Sequence, residues 1–252
     1  MCAHMKRNPW QVQVELKGAP FDLDDLIEDT PSSSYRFVKN QRDGGVLFES
    51  ESFRNCQTSN DVLKVANKEL RVFSSALKIL YNAPTSLHTN TVFHNNPLGG
   101  RNVFVHIQDT VRSSSYVGKV VVTTSGVNHN ASVRPTRSKI ALLFETAKRD
   151  TAATKVMRLV TAPDYKSWTG LYRALEVIEE DSGGAPTLVS WGWTSKKDLS
   201  RFKRSANSTA VAGDLSRHGT DAHQPPKKPM SIDEASTYLH KLIIKWLTSK
   251  EI

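Results

Sequence analysis

The sequence predicts an α+β fold, in which an N-terminal mixed, mainly antiparallel sheet with one long helix is followed by an all-α C-terminal region. Two observations lead to this prediction. Strand-like runs in the first half are joined by hairpin signals, which favour antiparallel pairing. Helical periodicities with recognisable caps dominate the second half. We therefore expect an α+β domain at residues 1–137 and a helical domain at residues 138–252.

The first elements are two strand regions with a short helix between them. Residues 10–16 alternate apolar and polar side chains, as a half-buried strand does. Residues 21–28 are typical of a short acidic helix. The runs 35–39 and 46–49 flank Asp43-Gly44, and an Asp-Gly pair in that position predicts a β-hairpin.

A long amphipathic helix is predicted at residues 61–80, because its apolar residues recur with a period close to 3.6. Asn60 is the expected N-cap. Two further strands are predicted at residues 102–107 and 116–122, which are rich in valine. The polar stretch 123–137 is expected to be a loop that closes the first half.

The second half is predicted to contain five helices. They lie at residues 139–144, 152–160, 164–180, 195–207 and 231–250. Asp164 and Ser195 can cap the third and fourth of these helices, and Ser231 with Glu234 forms a capping box for the fifth. A stiff proline-containing spacer, Pro225 to Pro229, precedes the last helix.

Composition points to a class of partner. The chain has 34 Lys and Arg against 25 Asp and Glu, a formal net charge of +9. This excess favours RNA or another polyanion, because cations near phosphates release condensed counterions. The alternative is that the chain binds no polyanion, since many basic proteins bind nothing anionic.

Composition also limits the compartment and the cofactors. The only cysteines, Cys2 and Cys56, favour a reducing, cytoplasmic location. No window has the roughly 18 apolar residues of a membrane span, and residues 1–10 lack the apolar region of a secretory signal. We find no zinc-type Cys/His spacing and no phosphate-cradling loop. No cofactor, metal or membrane partner is therefore expected.

The first candidate site is the basic helix at residues 195–207. Its cations share or flank one face, which could track a phosphate backbone. They are Lys196, Lys197, Arg201, Lys203 and Arg204. A solvated helix face without any ligand is the alternative interpretation.

The second candidate site is catalytic and consists of Arg217, His218 and His223. An arginine can hold a phosphate through two hydrogen bonds, and a histidine can move a proton near neutral pH. Together they would support metal-independent cleavage of RNA. The alternative is that Arg217 and His218 brace the preceding helix.

Other residues carry weaker signals. Trp191 and Trp193 could stack on bases or seal a helical core, whereas Trp168 and Trp246 are predicted to be core residues. Three histidines, His88, His94 and His106, could cluster in space, although scattered histidines are usually structural or exposed.

The C-terminal segment resembles known proteins through an ordered set of motifs. These are Trp-x2-Leu-Tyr-x-Ala-Leu-Glu at 168–176, Phe-Lys-Arg-Ser-Ala-Asn at 202–207, Gly-Asp-Leu-Ser-Arg-His-Gly at 213–219 and Pro-Pro-Lys-Lys-Pro-Met at 225–230. Uncharacterised bacterial proteins share this order, and the segment is also similar, more loosely, to HEPN helical domains. The HEPN resemblance implies RNA processing or nucleotide binding, with Arg217, His218 and His223 matching the motif. It also implies a homodimer with a composite site.

Two functional hypotheses follow. The first is an RNA-binding protein, a HEPN-like ribonuclease of bacterial antiphage defence or stress response. The second is a non-enzymatic component of a defence system that binds a protein partner or senses a ligand. The broad apolar face of the last helix, residues 231–250, fits the second hypothesis if part of it is exposed.

Overall fold

The computed structural model describes residues 8–18, 22–29, 34–81, 85–107, 138–217 and 224–250. Within these ranges every strand lies in the first half of the chain, and the second half is helical. The predicted α+β class, a mainly antiparallel sheet followed by helices, is therefore confirmed.

The strands form one large sheet and one small ribbon. They are β1 (Trp10–Gln13), β2 (Glu15–Gly18), β3 (Tyr35–Lys39), β4 (Val46–Ser50), β5 (Thr85–His88), β6 (Thr91–Asn95) and β7 (Arg101–Val105). The large sheet has the order β3-β4-β1-β6-β7, and β2 pairs with β5 in the ribbon. All pairings are antiparallel, and the predicted hairpin is confirmed with Phe37 opposite Phe48.

The predicted N-terminal strand divides at Val14. Trp10, Val12 and Val14 are buried, as the alternation predicts. The Val14 amide donates to the Val46 carbonyl at 2.8 Å, and the chain then leaves the large sheet to pair with β5. This change of partner places Glu15 opposite His88.

Nine helices are formed by the described residues. They are α1 (Leu23–Asp29), α2 (Ser59–Tyr81), α3 (Ser138–Arg149), α4 (Thr151–Val160), α5 (Trp168–Asp181), α6 (Ala185–Ser190), α7 (Lys196–Asn207), α8 (Thr209–Ala212) and α9 (Ile232–Ser249). Short 3-10 turns cover Glu51–Asn55 and Gly213–Leu215. The sequence did not predict α6 and α8, which are too short to show a helical period.

Two predicted caps are wrong. α2 begins earlier than expected, and Thr58 rather than Asn60 caps it. The Thr58 hydroxyl accepts the Asp61 amide and the Asp61 carboxylate accepts the Thr58 amide, both at 3.2 Å. α5 is capped by Ser167 rather than Asp164, because residues before Ser167 form hydrogen-bonded turns instead of helix.

The other two predicted caps are confirmed. The Ser195 hydroxyl accepts the Asp198 amide at 3.0 Å, and the Ser231 hydroxyl accepts the Glu234 amide at 3.1 Å. These side chains satisfy first-turn donors that have no partner inside the helix.

The central helix α2 joins the sheet to the helical region. It contacts β5 and β6 and also α3, α4 and α9. Trp168 and Trp246 are buried, as predicted, in a core that contains residues from both halves of the chain. The division at residues 137 and 138 stays a prediction. The strand predicted at 116–122 and the loop at 123–137 lie outside the described residues.

Candidate functional site

Arg217 lies against helix α5. Its main-chain amide donates to the Ala206 carbonyl at 2.9 Å. Its guanidinium is 4.0 Å from the ring centroid of Tyr172 and forms an ion pair with Glu176. The other two predicted catalytic residues, His218 and His223, lie outside the described residues. The catalytic role of the three residues therefore stays a prediction.

These contacts predict a stabilising role for Arg217. Arg217→Ala should lower the free energy of unfolding by about 1 kcal/mol, because a cation–π contact and a partly exposed ion pair are both lost. In a chain of this size that is a fall in Tm of roughly 2–4 °C. Arg217→Lys keeps the charge and loses the stacked guanidinium, so an intermediate Tm is expected. Thermal unfolding followed by circular dichroism measures both, and an unchanged Tm for Arg217→Ala would contradict the bracing role.

In the predicted basic helix, Arg201 is engaged within the protein. It donates two hydrogen bonds to the Glu234 carboxylate, at 2.6 and 2.8 Å. It also donates to the carbonyls of Lys228 and Pro229, at 2.6 and 3.0 Å. The hydrogen bonds from Arg201 lower the pKa of Glu234. This arginine thus fastens the segment before α9 to α7.

Two more cations of the same helix also have protein partners. Lys203 forms an ion pair with Glu179 of α5 at 2.7 Å. Arg204 donates to the carbonyls of the segment before α9, at 2.9 Å to that of Pro225. A phosphate backbone would therefore have to compete with existing contacts at these positions.

The remaining predicted contact residues are exposed. Lys196 and Lys197 form no ion pair with another described residue. Nearby, Trp191 is 52% exposed and its ring centroid lies 4.6 Å from that of Trp193. Base stacking on Trp191 stays a prediction.

A second region, which we call the histidine cleft, was not predicted as a site. It is a cleft of about 1020 Å³ between the β2–β5 ribbon, the end of β7 and helices α2 and α4. Its titratable and amide-bearing lining residues are Glu15, Lys17, Asn67, Arg71, His88, Asn90, His106 and Arg158.

Within the histidine cleft, Glu15 and His88 form a cross-strand pair. His88 Nε2 lies 3.1 Å from Glu15 Oε2. Burial, followed by the nearby Lys17 ammonium, lowers the pKa of His88 from its ordinary value despite the opposing effect of Glu15. The lowered pKa favours the neutral imidazole, in which Nε2–H donates to the Glu15 carboxylate. In that form Nδ1 carries a lone pair, and it is buried without a hydrogen-bond partner among the described residues.

His106 follows β7 and lies near the turn at residues 89–90, which joins β5 to β6. Its main-chain amide donates to the Asn90 carbonyl at 2.8 Å. The turn is held on α2 by Asn67, whose amide bonds the Thr89 main chain twice, at 3.0 Å each. Nε2 of His106 is buried and has no hydrogen-bond partner in the part of the chain that the structure describes. Buried polar atoms are rarely left unpaired in folded proteins, so two such atoms in one cleft need an explanation.

Three cations surround the histidine cleft. Lys17, Arg71 and Arg158 are exposed and form no ion pair with a described residue. Among the described residues that line the cleft, Glu15 is the only carboxylate. The cleft therefore carries an uncompensated positive charge, which attracts anions.

The sequence hinted at this cleft only through its histidines. His88 and His106 share the cleft, whereas His94 lies on the large sheet with its ring centroid 4.4 Å from that of Trp10. Period-two alternation also places Glu15 and Lys17 on one face of their strand. The pairing of β2 with β5 was needed to bring these two sets together.

Comparisons of the chain with protein-family models, with curated proteins and with solved structures find no match. The resemblance to HEPN domains therefore stays a prediction. None of the helices that the structure describes has the length and apolar content to span a membrane. The described residues hold no cluster of three or more His, Cys, Asp or Glu side chains suited to a metal ion.

Proposed function

We propose that the protein binds RNA and that the histidine cleft is the binding surface. The observation that carries this proposal is the set of three cations, Lys17, Arg71 and Arg158, that surround the cleft without an ion-pair partner among the described residues. Each can neutralise one phosphate of a strand that lies in the cleft. The formal net charge of +9 adds long-range attraction for the same class of ligand.

An acceptor in the cleft favours RNA over DNA. His88 Nδ1 carries a lone pair and accepts no hydrogen bond from a described residue. The 2′-hydroxyl of ribose is a hydrogen-bond donor that deoxyribose lacks. The HEPN resemblance of the C-terminal segment supports the same ligand class, and a role in antiphage defence or stress response depends on that resemblance alone.

The test is the salt dependence of RNA binding by two matched variants. The cleft variant carries Lys17→Gln, Arg71→Gln and Arg158→Gln. The control variant carries three substitutions of exposed lysines on or beside α7, which lower the net charge equally; they are Lys196→Gln, Lys197→Gln and Lys227→Gln. Fluorescence anisotropy with a labelled single-stranded oligoribonucleotide gives Kd over a range of salt concentrations.

We expect the cleft variant to bind about tenfold more weakly at low salt, with a log–log salt slope smaller by about 2, because three phosphate contacts are lost. The control variant should keep the wild-type slope. Equal effects of the two variants would show that only net charge matters, and a larger effect of the control would place the RNA on α7. Wild-type protein that binds no RNA at low salt would exclude the function and favour a protein-binding role.

A further inference from the structure

The histidine cleft holds more than a phosphate-binding surface needs. Phosphate contacts are made by cations and by amide or hydroxyl donors. The cleft also contains two imidazoles, each with one buried nitrogen that has no hydrogen-bond partner among the described residues. Both imidazoles lie beside the same turn: His88 ends β5, and the His106 amide donates to Asn90 two residues further along. Two histidines beside one phosphate-binding surface are suited to acid–base chemistry.

The partner of His88 fits the role of a base. Glu15 accepts from Nε2, which selects the tautomer with its lone pair on Nδ1 and stabilises the imidazolium that forms when Nδ1 takes a proton. A carboxylate behind a histidine acts in this way in hydrolytic triads. The side chain of His88 keeps 24% of its surface exposed.

We infer that the histidine cleft cleaves RNA without a metal ion, with His88 as general base and His106 as general acid. This inference depends on the proposed RNA binding. In the step, the 2′-hydroxyl of the bound ribose attacks the adjacent phosphorus and its proton passes to His88 Nδ1. The bond from phosphorus to the 5′-oxygen breaks, and protonated His106 donates a proton to that oxygen. The products are a 2′,3′-cyclic phosphate and a 5′-hydroxyl, so atoms and charges balance without a co-reactant.

The surrounding cations have a defined part in this step. Negative charge grows on the non-bridging oxygens as the phosphorane forms, and a fixed cation beside it lowers the barrier. Arg71 and Arg158, on α2 and α4, line the cleft together with the two histidines. Nδ1 of His88 and Nε2 of His106 are buried, so the bound strand must displace the groups that cover them while the contact between His88 Nε2 and Glu15 is kept.

The experiment separates binding from cleavage. Wild-type protein is incubated with a labelled single-stranded oligoribonucleotide in the presence of EDTA, and the products are identified by mass spectrometry. The variants are His88→Gln and His106→Gln. The matched control is His94→Gln, a histidine of β6 that does not line the cleft. Anisotropy with an all-2′-deoxy oligonucleotide of the same sequence, and with an RNA containing 2′-O-methyl groups, measures binding without cleavage.

We expect wild-type and His94→Gln protein to produce cyclic phosphate ends at equal rates. His88→Gln and His106→Gln should bind the 2′-O-methyl strand as wild type does. Each should cleave RNA at about one hundredth of the wild-type rate or below. Glu15→Gln should shift the pH–rate profile, since Glu15 is a positioning residue that acts through His88.

RNA that binds to the wild-type protein and stays intact would overturn this inference and leave the proposed binding function standing. A further outcome is cleavage that survives both histidine substitutions and is lost in Arg217→Ala. That result would overturn the inference and favour the candidate site at Arg217, His218 and His223. Absence of binding would remove the proposed function itself. Cleavage that leaves 3′-hydroxyl and 5′-phosphate ends would exclude the 2′-hydroxyl as nucleophile.

Discussion

Replacing Phe73 with alanine is expected to lower the free energy of unfolding by about 3–5 kcal/mol. The ring is fully buried on α2. Its centroid lies 5.0 Å from that of Phe37 in the sheet and 4.2 Å from that of Phe144 on α3, which it stacks on. Alanine removes the apolar surface of the ring and leaves a cavity between two layers that can collapse only partly. Equilibrium unfolding in urea, followed by circular dichroism, measures the change.

The matched control is Trp191→Ala, which also truncates an aromatic ring. Trp191 is 52% exposed, so a change within about 0.5 kcal/mol is expected. If Phe73→Ala lowered the free energy of unfolding by less than about 1 kcal/mol, the ring would not be the close-packed contact between sheet and helices that the structure describes.

The same experiment bears on the predicted division at residues 137 and 138. Phe73 contacts the sheet on the N-terminal side of that division and Phe144 on its C-terminal side. Because the core is continuous across it, we expect one cooperative unfolding transition by both circular dichroism and tryptophan fluorescence. Two separate transitions would favour two independent domains.

Gly170→Ala is expected to lower the free energy of unfolding by about 3 kcal/mol. Alanine in place of glycine normally stabilises a helix by about 1 kcal/mol, and the opposite sign here has a steric cause. A Cβ on Gly170 would clash with the Asp164 carbonyl oxygen and would lie 2.8 Å from the Cα and the carbonyl oxygen of Tyr165. These are backbone atoms, which cannot rotate away as a flexible side chain does.

The control for this prediction is Gly100→Ala, the same chemical change in a turn. The nearest atom to a Cβ at Gly100 is the Asn96 Cβ at 3.8 Å, an ordinary van der Waals distance. Its stability should stay within about 0.5 kcal/mol of wild type. Chemical denaturation of the two variants side by side measures the difference, and a Gly170→Ala protein as stable as wild type would show that the turn before α5 can move.

Some of the candidate site could be recognised in the sequence, and some could not. Local spacing alone predicts that the cations of α7 share or flank one helix face, and their binding to a nucleic acid stays a prediction. It could not show that Arg201 would bind Glu234 or that Lys203 would bind Glu179. Both carboxylates belong to other helices, and their approach depends on helix packing rather than on periodicity.

The histidine cleft shows the same limit more strongly. His88 and His106 were recognisable as histidines that could meet, but nothing local distinguished them from His94. Their shared surface exists because β2 leaves the large sheet and pairs with β5. Strand register is a long-range property, since a shift of one residue would turn every side chain to the other face.

The sequence by itself determined the α+β class, the hairpin around Asp43-Gly44 and the helices that Ser195 and Ser231 cap. Each of these depends on interactions between residues a few positions apart, and such interactions are visible in a linear pattern. Only the tertiary structure decided which cations lack an ion-pair partner among the described residues and where the imidazole nitrogens of the histidine cleft lie. It also decided that Arg217 packs on Tyr172. Those properties arise from contacts between distant segments, whose geometry is set by the packing of the whole core.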